Sequence, residues 1–195
     1  LTGDKGNAGQ YFWLDNDTLL FSENRDGDKA EIEGLPYTTF YSINVNGGDA
    51  KREFSLNINV LSIDMIYRNN FIIQSIYDNH IPDIDGKSKE EIELIMQEVK
   101  KEKDHQVIDE LPYWTDGGSY INKIRRRIYL YNISGGLKPL TPKLGRAWQY
   151  KLSDCKKYIV FNGELEYSDV EARDENLYML EIESGNIKQI TDKPM

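Results

Sequence analysis

The chain has 195 residues, with 39% hydrophobic and 29% charged side chains, which is the composition of a folded protein and too apolar for disorder. Its net charge of −9 excludes a nucleic-acid binder, because that function rests on Lys and Arg neutralising phosphates. No apolar run approaches the roughly 20 residues that span a bilayer as a helix, and no signal-peptide pattern opens the sequence.

In chain order, the first element follows Leu1-Thr2. After Gln10-Tyr11 comes Trp13-Leu14-Asp15-Asn16-Asp17-Thr18-Leu19-Leu20-Phe21, a polar turn feeding a short apolar strand. The same order returns at Leu140-Thr141, Gln149-Tyr150 and Leu152 to Phe161, with a weaker copy at Tyr67 to Ile73. A second element, Phe40-Tyr41-Ser42-Ile43-Asn44-Val45-Asn46-Gly47-Gly48, matches Ile128 to Gly136 and Leu177 to Gly185. Each copy is an aromatic-bearing strand closed by a turn containing Gly, where positive φ is least strained. Both elements recur in the same order about every 50 residues, the spacing of four-stranded propeller blades.

The middle unit is longer because of a polar segment, residues 87–106. Ile92, Ile95, Met96 and Val99 form one helical stripe there, which predicts a helix over 88–104. The fold expected is therefore all-β: about three four-stranded antiparallel sheets of an incomplete propeller, with one helical insertion. The blade-like units are expected at about 3–56, 57–141 and 142–192. Three blades do not close a ring, so the chain reads as consecutive repeats from a longer polypeptide, with self-association expected through exposed blade edges.

The blade motif Leu177-Tyr178-Met179-Leu180 followed by Gln189-Ile190-Thr191 resembles those of TolB-type and prolyl oligopeptidase-type propellers. The helical insertion followed by Leu111-Pro112-Tyr113-Trp114-Thr115-Asp116-Gly117-Gly118-Ser119-Tyr120 is similar to the second-blade region of acylaminoacyl-peptidase-like members of the prolyl oligopeptidase family. That resemblance implies a non-catalytic propeller that gates and orients short peptides for a serine peptidase. Its implied partners are an α/β-hydrolase domain, further blades and short peptides. The competing reading is a TolB-like platform that binds proteins or glycans.

No residue in the chain is assigned to catalysis. Gly117-Gly118-Ser119-Tyr120-Ile121 lacks the last glycine of a nucleophile elbow, and His80 and His105 sit in polar loop surroundings. No metal site or cofactor is expected. Ser22, Asn24, Asp26, Gly27 and Glu33 imitate a calcium loop but read as a hairpin connection, and Asp78, Asp83 and Asp85 read as a solvated loop. The acidic stretch from Glu164 to Asp174 aligns with no role. Tyr113, Trp114, Tyr120 and Arg125 are the residues expected to contact a substrate, by the aromatic surface and charge they offer. The run Arg125-Arg126-Arg127 otherwise reads as an exposed strand edge. Cys155 lies in a turn and cannot pair internally, which points to a reducing, cytoplasmic setting.

Overall fold

The computed structural model describes residues 8–23, 25, 32–82, 84, 87–102, 123–166 and 176–191. The first sheet is a meander of β1 (Ala8–Trp13), β2 (Thr18–Glu23), β3 (Thr38–Asn44) and β4 (Lys51–Leu56). The middle sheet runs β5 (Asn59–Tyr67), β6 (Asn70–Asp78), β7 (Ile124–Asn132) and β8 (Gly136–Pro139). The third runs β9 (Arg146–Leu152), β10 (Tyr158–Glu164), β11 (Asn176–Glu181) and β12 (Ile187–Gln189). Every pairing is antiparallel, and helix α1 (Lys89–Lys101) rises between β6 and β7. Among the described residues these are the three four-stranded sheets that the repeat implies and the one helix that the 92/95/96/99 stripe implies. No helix among the described residues is long and apolar enough to cross a membrane.

Local chemistry sets the turns. The Asp15 carboxylate accepts the backbone N–H of Asp17 and Thr18, at 2.9 and 2.7 Å, and closes the β1–β2 turn. Asn132 accepts from Ser134 and Gly135 in the same way between β7 and β8. The two-residue turn between β5 and β6 needs a left-handed residue, and Asn69 takes φ 68° there. Lys156 does the same at φ 59° beside the exposed Cys155, which confirms a turn at that cysteine.

The middle sheet has a neighbour on each face, and its sequence reflects that. Phe71, Ile73, Tyr129 and Tyr131 pack against Leu20, Phe40, Phe54 and Leu56 of the first sheet. Ile72 and Ile128, one step along the pleat, pack against Ala147, Ile159, Phe161 and Tyr178 of the third. A strand buried on both faces carries a continuous apolar run, here Phe71-Ile72-Ile73, instead of strict alternation. The repeated tyrosine keeps one orientation throughout. Tyr129 and Tyr178 face the sheet before their own, and Tyr41 lies with Phe21 and Ile43 on the face of the first sheet away from the middle one.

This packing corrects the reading of Arg125–Arg127 as an exposed edge. β7 lies inside its sheet, between β6 and β8, and Arg125 and Arg127 are buried at 2% and 6% exposure. Only Arg126 faces solvent. The loop reading of Ser22 also changes: it is a buried residue of β2 whose Oγ accepts from Gln10 N at 2.8 Å.

Candidate functional site

Within each sheet the tight hairpins close one end, while the long connection always joins the second strand to the third: residues 24–37, 79–123 and 165–175. The links between sheets, 57–58 and 140–145, leave from that same end. Simple meanders thus gather every long loop on one side, where a blade carries function.

Helix α1 is built at this end by its own sequence. Ser88 accepts from Glu91 N while the Glu91 side chain accepts from Ser88 N, a complete capping box. Ile92 and Met96 then dock on Ile32, Leu35, Ile81 and Ile84, while Leu94 points out to solvent. Lys100 Nζ meets Glu33 Oε1 at 2.9 Å and ties the helix to the long connection of the first sheet. A 13-residue helix needs such packing to persist in water. Met96→Asp is expected to release it, with at least a tenfold faster tryptic cut between residues 85 and 108 and an unchanged strand signal in circular dichroism. Equal cleavage rates in the two proteins would refute the docking.

Beneath this loop cluster lies a cavity of about 330 Å³, walled by Leu35, Ile58, Ile81, Ile84 and Ile124 with Tyr77 and Tyr129. Asp78 stands at its rim and holds His80, Oδ1 to Nδ1 2.7 Å. Behind the tyrosines the charge is positive. The Arg127 guanidinium lies 4.7 Å from the Tyr77 ring and 5.3 Å from that of Tyr129, and Lys143 Nζ is 5.7 Å from Tyr77. Each such contact contributes about 0.5–2 kcal/mol, the more the drier it is. Arg127 Nη2 donates to Thr141 O at 3.0 Å, and its buried Nε has no hydrogen-bond partner among the described residues. Arg125 Nε donates to Leu144 O at 3.0 Å, so both arginines hold the 140–145 link in place. A mostly apolar cavity with Asp78 at its rim suits an apolar side chain, and the buried Arg127 cation lies behind its tyrosine rings, not on its wall.

Of the residues expected from sequence to touch a substrate, Arg125 belongs to this end of the middle sheet. Tyr113, Trp114 and Tyr120 lie outside the described residues, as do Ser119, His105, Asp83, Asp85, Asn24, Asp26 and Asp169. Sequence reading missed Tyr77, Arg127 and Lys143. The alternation of β7 pairs Arg127 with Tyr129 on one face and was the available signal.

No known family profile matches the chain, and no curated protein does. Among solved structures it is similar to the acylaminoacyl peptidase of Pyrococcus horikoshii, with TM-score 0.54 and 12% identity, over 95% of this chain and 25% of that one. It is also similar to a variant of the Synechocystis apocarotenoid oxygenase, with TM-score 0.48 and 10% identity, over 97% of this chain and 39% of that one. An acylaminoacyl peptidase in complex with a peptidyl chloromethyl ketone gives TM-score 0.48 and 10% identity, over 96% and 33%. The chain therefore spans a quarter of the length of the Pyrococcus peptidase. The likeness to that peptidase is one of fold: four-stranded antiparallel meanders stacked face to face, as in the blades of a β-propeller.

Proposed function

We propose that these blades form a non-catalytic propeller segment of a prolyl oligopeptidase-family serine peptidase of the acylaminoacyl-peptidase type. In this reading they gate and orient short peptides for an α/β-hydrolase domain that the 195 residues do not contain. One observation carries it: the long connections, the docked helix and an apolar cavity backed by Arg127 all gather at one end of the stack. The likeness in fold to an acylaminoacyl peptidase supports the same reading, as does the segment Leu111 to Tyr120 that follows the helix.

Arg125 acts here as a positioning residue, through its hold on Leu144 O. Tyr113, Trp114 and Tyr120 supply rigid contact area for the peptide, and the setting is cytoplasmic. The contribution to rate is one of positioning and exclusion, because acyl transfer needs nucleophile, base and oxyanion donors in a single constellation. A fluorophosphonate probe tests this. It is expected to leave the 195-residue chain unlabelled and to label the whole gene product on a serine beyond residue 195. Labelling of Ser119, or a gene product that never reacts, would overturn the proposal in favour of a binding platform.

A further inference from the structure

Between the middle and third sheets lies a second cavity, of about 630 Å³ and open along one side. Ser62 and Asp64 of β5 and Arg126 of β7 line one wall; Trp148 and Tyr150 of β9 line the other. The wall is chemically unfinished. Tyr150 Oη and Ser62 Oγ are buried beside one another and the Asp64 carboxylate, and neither makes a hydrogen bond of full geometry among the described residues. Burial, and then the neighbouring Asp64 charge, holds the Tyr150 phenol far above its ordinary pKa, so it stays protonated. Arg126 gives Nη1 to Trp148 O at 3.3 Å and spreads over the Trp148 ring at 5.6 Å, which leaves most of its donor fork unused. Among the described residues neither Asp64 nor Arg126 has an ion-pair partner.

The charges of both signs narrow the choice of occupant: Asp64 on the negative side, Arg126 and the exposed Lys151 on the positive. An anion alone would meet Asp64, and a cation alone would meet Arg126. A sugar would need the Trp148 face, but Arg126 and Arg146 lie against that ring at 5.6 and 6.0 Å. Register gives the separation. Asp64 is opposite Ile72 and Arg126 opposite Ile76, four steps apart along β6 and on its two sides. At about 3.3 Å per residue and 4.8 Å per strand their Cα atoms are about 16 Å apart. The Arg126 side chain reaches in as far as the Trp148 carbonyl, and the remaining gap suits two or three extended residues at about 3.5 Å each.

We infer that this groove binds a short unblocked peptide by both ends. Asp64 takes the ammonium, with Ser62 Oγ and Tyr150 Oη as further acceptors, and Arg126 takes the carboxylate as a fork. The inference goes beyond the proposed function: the groove shares no lining residue with the apolar cavity, and it is read on this chain alone. A chain that ignores peptides leaves the probe labelling of the gene product untouched, and an unlabelled gene product leaves the groove untouched.

The test is calorimetric titration of the 195-residue chain with trialanine. Saturable binding is expected, weakened at least tenfold when the amine is acetylated or the carboxylate amidated, and weaker again for alanine alone and for pentaalanine. Asp64→Asn should lose about tenfold for trialanine and become indifferent to acetylation. Arg126→Gln should lose about tenfold and become indifferent to amidation. Both side chains face solvent, so each variant should melt like the parent. Tyr150→Phe, which removes only the hydroxyl, should lose about threefold and serves if a charge variant fails to fold. No saturable binding of trialanine, equal binding of the doubly blocked peptide, or full affinity in both charge variants would overturn the inference.

Discussion

Gly163→Ala is expected to lower the melting temperature by about 6–12 °C, the shift that ~3 kcal/mol produces in a chain of this size. The space for a side chain at this position is already filled by backbone. A Cβ at residue 163 would lie 1.9 Å from Arg146 O and 3.2 Å from Ala147 Cα. Neither atom can swing aside as a side chain would, so the β9–β10 ladder must open, and overpacking against backbone falls at or above the usual 1–3 kcal/mol. The crowding has a local origin. Asn162 pairs with Gln149 and Gly163 with Ala147, so Trp148 is the extra residue of a β-bulge. Glycine opposite the bulge lets β9 close in and present Trp148 beneath Arg126. Gly185→Ala is the control: φ is 75°, but nothing lies within 4 Å of the added methyl. That change should cost about 1 kcal/mol, the strain of the left-handed conformation alone. Thermal melts by circular dichroism of the two variants decide it. Equal, small shifts would show that β9 accommodates the methyl.

Phe71→Ala should be at least as damaging, with a loss of about 3–5 kcal/mol. Phe71 is 2% exposed and joins the first two sheets. Its ring centroid lies 6.0 Å from that of Phe12, 5.6 Å from Phe54 and 6.2 Å from Tyr131, and Phe54 lies 5.1 Å from Tyr131. Truncation removes one member of this four-ring cluster, and the strands around it are too well paired to collapse into the void. Urea unfolding should show a lower midpoint with the same slope. Tyr67→Ala, at a site 64% exposed, should move the midpoint by no more than about 0.5 kcal/mol equivalent. Matching midpoints for the two variants would remove Phe71 from the centre of the core.

The sheets could be read in the sequence because the determinants of each are local. The turn Asp15-Asn16-Asp17 and the strand around Tyr129 specify hairpins from residues a few positions apart, and the 92/96 spacing specifies the helix in the same way. The sites could not be read, because they are assembled across sheets. Asp64, Arg126 and Trp148 come from three strands of two sheets, and a bulge sets the position of Trp148. The run Arg125-Arg126-Arg127 shows the physical limit. In a strand covered on both faces, alternation no longer separates core from solvent, so the burial of Arg125 and Arg127 beside an exposed Arg126 depends on neighbours that local sequence does not name.

Phe71 and Ile73 belong to one interface and Ile72 to the other, and the two clusters share no side chain. Mechanically the stack is a set of plates joined by pleated backbone, not one continuous core. A repacking between the third sheet and the middle one therefore touches no side chain of the aromatic cluster beside the first. Trp148 meets the middle sheet at Arg126 of β7 and Gln74 of β6, so a shift there reaches the first sheet through the backbone of those two strands and not through side-chain contact.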